Sequence, residues 1–241
     1  MKKSKMRIAV KSDIPFHHRR KFLKLGGMAL AGAGVMIACD KDDDDMVTPE
    51  PGVFDLGEGD LGVLNYAYAL EQLEADFYTK VVNSLYNNIS DREREIFTDL
   101  YNHEVNHREF FKAAIMAAVN GDTTKVLPDL EFDYGNLDFS SRDAVLGLAK
   151  TLEDTGVAAY NGAGALISDP NYLLIAGKIV SVEARHASAI RSLINPESSD
   201  FAGDDIIDGN GLDLAMDPSD VLSTIGSAGL IKTEFTASSL P

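Results

Sequence analysis

The sequence contains few residues of several types, and each scarcity excludes a class of protein. One cysteine among 241 residues rules out an intramolecular disulfide, a thiolate zinc cluster and a cysteine-ligated iron–sulfur domain. Basic residues are scarce after the N-terminal segment, because residues 1–38 hold nine of the 22 Lys and Arg residues and only one of the 38 acidic residues. The rest of the chain has 13 bases and 37 acids. Such a negative surface repels phosphate backbones, which excludes nucleic-acid binding.

Long hydrophobic runs are also missing. The mean hydropathy is −0.08, with 45% apolar and 25% charged side chains. This composition excludes a disordered chain and a polytopic membrane protein, and it predicts a globular domain with one sizeable core.

Residues 1–38 have the pattern of a twin-arginine export signal. Residues 19–24 read RRKFLK and precede an apolar, Gly- and Ala-rich run that is too short to span a bilayer. The run ends in residues 36–39, MIAC, which resemble a lipobox. We therefore expect cleavage before Cys39 and lipid attachment to it. An uncleaved N-terminal anchor with a buried cysteine is the alternative.

Residues 39–58 are predicted to form a lipidated acidic tether. Five of the six residues at 40–45 are aspartate, and Pro49 and Pro51 follow, which is typical of a solvated linker. The acidic run also resembles the surface-export tags of some bacterial lipoproteins, and a plain spacer is the alternative. The lipid membrane is thus an expected partner through Cys39, in the cell envelope, with the domain facing the periplasm or the cell surface.

Four amphipathic segments follow, and no alternating strand pattern competes with them. The segments cover residues 61–87, 90–120, 140–168 and 169–195. Ser90 and Glu93 form a capping-box pattern, and Asp169-Pro170 supplies a helix start. Two helical pairs joined by a long crossover at residues 121–139 predict an all-α four-helix bundle over residues 59–195. Residues 196–241 are expected to form a mostly irregular extension that packs on the bundle through one short helix.

In each of the four helices, the inward-facing residues at alternating three- and four-residue spacing form an apolar stripe, here called a seam. Each seam carries one carboxylate near mid-helix. These carboxylates are Glu71, Glu104, Glu153 and Glu183, and His107 and His186 follow the second and the fourth by three residues. Residues at i and i+3 share a helix face. Glu104 with His107, and Glu183 with His186, can therefore each serve one metal ion. An exposed contact on a solvated helix face is the alternative interpretation of each Glu–His pair.

Four carboxylates that face one another in a core repel strongly unless they are neutralised. Two divalent cations balance four carboxylates in charge, and two neutral imidazoles complete six protein ligands. Mixed carboxylate–imidazole ligation favours iron or manganese; ligand type alone leaves zinc open. Protonation of the carboxylates is the other route to neutrality.

The seam pattern of the first two helices repeats in the last two. Tyr78 follows Glu71 by seven residues, and Tyr160 follows Glu153 by seven. The repeat predicts two helical hairpins related by a pseudo-twofold axis around one centre. Glu74 is an alternative to Glu71 as a ligand, although Glu71 has the matching offset to a tyrosine. His103 is expected at the rim of the site.

Residues 64–78, 104–107, 152–156 and 183–186 resemble the ferritin-like domain family that includes desiccation-related proteins. The resemblance covers roughly residues 59–195 and implies a ferritin-like bundle with a di-metal carboxylate centre. By motif, it places the metal ligands at Glu71, Glu104, His107, Glu153, Glu183 and His186. It also implies that Tyr78 and Tyr160 are catalytic residues one turn further along their seams, as hydrogen-bond donors to the ligands or as radical-prone groups.

The resemblance implies a role in iron, oxidant or stress handling, with O₂ or peroxide as the reactant. A di-iron ferroxidase or a peroxide-reactive oxidoreductase is the first expectation, and a manganese catalase is a variant. The alternatives are a metal-binding or stress-protective envelope protein without turnover, and a metal-free structural protein. The sequence leaves the oligomeric state open.

Overall fold

In a computed structural model, which describes residues 52–240, five α-helices make up most of the fold. The helices are α1 (Gly59–Asn83), α2 (Asp91–Ala118), α3 (Arg142–Gly164), α4 (Pro170–Ile194) and α5 (Pro218–Ala228). Short 3-10 turns lie at Thr123–Lys125 and Asp200–Ala202, and two-residue strands lie at Phe54–Asp55 (β1) and Phe235–Thr236 (β2). The all-α prediction is confirmed. The predicted export signal, Cys39 and the acidic run of the tether lie outside the described residues.

Local capping starts the helices where the sequence predicts. The Ser90 side chain accepts from the Glu93 backbone N–H, and the Glu93 carboxylate accepts from the Ser90 backbone N–H. Asp169 caps α4, with Pro170 in its first turn. α3 ends at Gly164, earlier than expected, because the Ser168 and Asp169 backbone N–H groups donate to the Asp60 carboxylate at 2.7 and 2.9 Å instead of extending the helix.

The two helical hairpins pack against each other, and α1 is the most buried of the four long helices. α1 lies along α2 and α3 lies along α4, while α1 contacts α3 and α2 contacts α4. Of the 25 residues of α1, 17 are buried, so this helix is covered on nearly all sides. None of the helices in residues 52–240 is both long and apolar enough to cross a membrane.

The long crossover is held against α1 by two buried amide side chains. Asn65 donates to the Lys125 carbonyl and accepts from the Leu127 backbone N–H. Gln72 donates to the Pro128 carbonyl and accepts from the Leu130 backbone N–H. These bonds satisfy backbone groups of an irregular segment that covers the core, so the crossover has a fixed path over the first hairpin.

The C-terminal extension is joined to the bundle by a buried arginine. Arg191 of α4 is 4% exposed in its side chain and lies 2.7 Å from Asp154 of α3 and 2.6 Å from Asp205 of the extension. Gly162 lets the extension approach α3 closely, because a Cβ there would lie 1.9 Å from the Met216 carbonyl oxygen. At the other end, β1 pairs in parallel with β2, and Leu56 is fully buried. Residues 54–56, which the sequence analysis assigned to the tether, thus belong to the packed domain.

Arg191→Met is expected to lower the free energy of unfolding by about 3 kcal/mol, because it leaves the mostly buried Asp154 carboxylate without its partner. Chemical denaturation followed by circular dichroism measures this change. Arg185→Met on the exposed face of the same helix is the matched control, and adding Asp154→Leu to Arg191→Met should restore part of the loss. Equal stability of Arg191→Met and the control would contradict this role.

Candidate metal centre

The four seam carboxylates and the two histidines meet in the middle of the bundle. One group contains Glu71, Glu104, His107 and Glu183, and a second contains Glu104, Glu153, Glu183 and His186. Within each group, one potential ligand atom from every residue lies within 4.8 Å of the others. All four glutamates are fully buried. The structure thus brings together every residue that the sequence analysis named as a metal ligand.

Glu104 and Glu183 belong to both groups, which changes the expected pairing. The i,i+3 spacing assigned Glu104 with His107 to one metal ion and Glu183 with His186 to the other. In the structure, the Nδ1 atom of His107 is 2.9 Å from Glu183 Oε1, and the Nδ1 atom of His186 is 2.8 Å from Glu104 Oε1. Each histidine therefore approaches the carboxylate of the opposite hairpin, and the two glutamates lie between the groups as bridging residues.

The donor atoms of this cluster lack other partners, which is the main evidence that the residues fit a pair of cations. Nine buried side-chain atoms of the four seam glutamates, Glu74 and the two histidines have no hydrogen-bond partner outside this cluster of residues. These atoms are Glu71 Oε2, Glu74 Oε2, both oxygens of Glu104, His107 Nδ1, Glu153 Oε2, both oxygens of Glu183 and His186 Nδ1. Buried polar atoms normally have partners, and each such atom costs free energy without one. Oxygen and imidazole donors of this kind suit iron or manganese.

The two predicted tyrosines connect the hairpins reciprocally. Tyr78 of α1 donates a hydrogen bond to Glu153 of α3, and Tyr160 of α3 donates one to Glu71 of α1. Burial, followed by the nearby glutamates, raises the pKa of both phenols well above the usual value, so both remain protonated donors. This exchange has the pseudo-twofold symmetry predicted from the repeat, and it fixes one oxygen of each carboxylate while the other oxygen faces the cluster.

The pKa values of the buried carboxylates differ because their neighbours differ. Burial raises the pKa of Glu71 well above its usual value and raises that of Glu153 to about 7. Burial also acts on Glu104, but the adjacent His107 and His186 outweigh it and lower the Glu104 pKa to about 2. Burial lowers the pKa of His107, but Glu104, Glu183 and Glu71 overcome this effect and raise it to about 12. Without metal, the protonated side chains of His107 and His186 thus neutralise part of the carboxylate charge.

Glu74 is buried but belongs to neither four-residue group. Glu74 is 3% exposed. Tyr160 donates its hydrogen bond to Glu71 and not to Glu74. Burial, followed by the charges of Glu104 and Glu183, raises the Glu74 pKa well above its usual value. Of the two alternatives from the sequence, Glu71 is therefore the one that the structure places among the candidate ligands.

His103 lies at the rim, as expected, but it has a contact that the sequence analysis missed. Its Nδ1 atom is 2.9 Å from His186 Nε2, and the two rings are nearly parallel, with centroids 5.1 Å apart and an interplanar angle of 9°. Burial, followed by His186 and His107, lowers the His103 pKa, so neutral His103 accepts a hydrogen bond from His186 Nε2–H. The Nδ1 atom of His186 is then directed at the carboxylates. The four-residue spacing between His103 and His107 was the available signal.

His103→Phe is expected to weaken metal binding at the group that contains His186 by roughly tenfold or more, as loss of an outer hydrogen-bond partner does. Phenylalanine keeps an aromatic ring at this position but provides no acceptor. Anaerobic calorimetric titration with Fe(II) or Mn(II) measures the affinity. Asn102→Ala, an exposed neighbour on α2, is the control, and equal affinities in wild type and His103→Phe would contradict the role.

The geometry defines an all-α bundle with a buried carboxylate–histidine cluster that is suited to metal ions. A family model described as a ferritin-like domain matches residues 59–196. The chain belongs to this ferritin-like domain family, as the resemblance implied. No curated protein matches the chain.

Proposed function

We propose that this protein is a di-iron carboxylate protein that oxidises Fe(II), or consumes peroxide, in iron and oxidant handling. The observation that carries the proposal is the pair of four-residue groups that share Glu104 and Glu183. Each group would hold one iron ion, and Glu104 and Glu183 would serve both ions. When bound, two Fe(II) ions supply two electrons, and with two protons these reduce O₂ to hydrogen peroxide.

The residues of the chain contribute binding, orientation and exclusion of water. Glu71 with His107, and Glu153 with His186, would complete the two sites, while Tyr78 and Tyr160 hold the terminal carboxylates in place. Full burial of the four glutamates keeps bulk water from the centre. This dry environment strengthens the attraction between cations and carboxylates.

Anaerobic loading with Fe(II), followed by exposure to O₂ or peroxide, tests the proposal. We expect two Fe(II) ions to bind per chain, and the oxidant to be consumed in proportion to the Fe(II) that is oxidised. Glu183→Gln should abolish both the binding of two Fe(II) ions and the consumption of the oxidant, whereas Glu109→Gln on the exposed face of α2 should abolish neither. Iron that binds but never reacts would favour the alternative, a non-catalytic metal-binding or stress-protective protein.

We further propose that the domain is exported by the twin-arginine route and anchored in the cell envelope through a lipid on Cys39. The motif RRKFLK and the MIAC sequence at residues 36–39 support this location. Folded export also allows metal to be inserted before translocation. Cys39→Ser should move the protein from the membrane fraction to the soluble fraction; retention in the membrane fraction would contradict the anchor.

A further inference from the structure

An apolar pocket lies beside the candidate metal centre and is closed on one side by the C-terminal extension. Its volume is about 100 Å³, and its walls are formed by aliphatic side chains of α1, α3 and the extension. These side chains are Leu70, Leu73, Leu148, Leu152, Ile225 and Leu230. The pocket therefore exists only in the complete domain, because α5 and the residue that follows its C-cap supply a wall.

The pocket reaches from the protein surface to the edge of the cluster. Thr151, Thr224 and Ala228 line it and are exposed, so they mark its outer end. Glu74 and Gly156 line it and are buried, so they form its floor. Glu74 follows Glu71 by three residues on α1, and Gly156 follows Glu153 by three on α3. The floor is thus one helical turn from a candidate ligand on both helices.

The floor breaks the pseudo-twofold symmetry of the site. The repeat that pairs Glu71 with Glu153 also pairs Glu74 with Gly156, so one half has a carboxylate where the other has no side chain. The Glu74 Oε1 atom lies 3.0 Å from the position of a Cβ at Gly156. Its Oε2 atom is buried and has no hydrogen-bond partner. On this side of the centre, the floor of the pocket therefore carries a carboxyl group with no opposing side chain.

The chemistry of the walls selects a small apolar occupant. The hydroxyl groups of Thr151 and Thr224 donate to the Gly147 and Asp220 carbonyls of their own helices, which leaves their methyl groups for the pocket. Among the lining residues, only the Glu74 carboxyl and the Thr155 hydroxyl offer a polar atom without a hydrogen bond in the structure, and the remaining walls are aliphatic, whereas a buried water needs two to four polar partners. An apolar cavity of about 150 Å³ stays dry and binds benzene or xenon, so a pocket of this size suits a smaller molecule.

We propose that this pocket is a binding site for a small apolar molecule, and that dioxygen is its occupant on the way to the Glu74 side of the centre. The assignment to dioxygen rests on the proposed oxidative function. The binding of a small apolar molecule does not rest on that function, because the walls and the volume of the pocket are those of the metal-free chain.

Xenon, an apolar atom with strong anomalous scattering, tests the pocket in crystals of the metal-free full domain. We expect a xenon peak between Glu74 and Ala228 in the wild type, and loss of that peak in Ala228→Leu, which fills the outer end. Ser223→Leu, on an exposed position of α5 that does not line the pocket, should keep the peak. Thr151→Leu fills the same end from α3. Loss of the peak in this variant as well would show that the pocket is filled, and not that α5 is displaced. Absence of xenon in the wild type would overturn the proposal.

Oxygen uptake by the Fe(II)-loaded protein tests the occupant. We expect uptake to slow several-fold in Ala228→Leu and Thr151→Leu, with the amount of bound Fe(II) unchanged, and to stay at the wild-type rate in Ser223→Leu. Unchanged rates in both filled variants would overturn dioxygen access by this route. If the wild type binds xenon but takes up no oxygen, the oxidative function is wrong, and so is dioxygen as the occupant, while the apolar binding site stands.

Discussion

Replacing His107 with alanine is expected to remove about one of the two metal ions from the chain, and His186→Ala is expected to remove the other. Each histidine supplies the only nitrogen of its four-residue group, so either change leaves that group with three carboxylates. Alanine favours helix, and the raised pKa values of Glu71 and Glu153 allow protons to neutralise the carboxylates that lose their imidazolium partner, so the metal-free bundle should remain helical. Elemental analysis after reconstitution measures the metal, and circular dichroism measures the helix content.

Asn106→Ala is the matched control for this pair, because Asn106 adjoins His107 on α2 and is exposed. It should retain both metal ions. The double variant His107→Ala with His186→Ala should lose both while keeping its helical spectrum. Two retained metal ions in both single variants would contradict the assignment of these histidines.

Removing the metal is expected to reverse the pH dependence of stability between about pH 4.5 and pH 7. The pKa of Glu153 is about 7 in the folded chain, against 4.5 for an ordinary glutamate, and burial raises the pKa values of Glu71 and Glu74 further. The unfolded chain then binds fewer protons than the folded one, so the free energy of unfolding falls as pH rises. This contribution is complete below pH 4.5 and, for Glu153, is lost as pH rises through 7. Glu153 alone accounts for roughly 3 kcal/mol across this range.

Metal-bound protein should show the opposite slope. Protons compete with cations for carboxylate and imidazole, so metal binding, and the stability that it adds, increase as pH rises. Glu93 and Glu104, whose pKa values are lowered to about 2, lose their contributions only below pH 4.5 and do not offset the effect in this range.

Denaturant titrations at several pH values, with and without metal, measure both slopes. Glu153→Gln should flatten the slope of the metal-free protein, because glutamine needs no proton in the core. Glu109→Gln on the exposed face of α2 should leave it unchanged. A metal-free protein that becomes more stable between pH 4.5 and pH 7 would refute the proposed crowding of carboxylates.

The fold and the membership of the site could be predicted because both depend on local spacing. The 3.6-residue period places Glu104 and His107 on one helix face, and the capping residues fix where α2 and α4 begin. An acidic residue in an otherwise apolar seam needs a reason to be buried. The common position of these residues in all four seams was therefore sufficient to predict that they meet.

The contacts across the bundle could not be predicted in the same way. The sharing of Glu104 and Glu183 depends on the distance between hairpins, which no spacing within one helix determines. The hydrogen-bonded contact of His103 with His186 and the position of Glu74 opposite Gly156 likewise depend on how α1, α2, α3 and α4 are rotated against one another. The C-terminal extension was assigned no chemistry from its sequence, yet Ile225 and Leu230 form part of the pocket wall.

The metal content of the protein, purified from its native source without chelators, tests the central claim most directly. The account predicts two iron ions per chain in the wild type, and about one in His107→Ala or His186→Ala. Protein that contains no transition metal, and that still binds none when Fe(II) is supplied anaerobically, would contradict it.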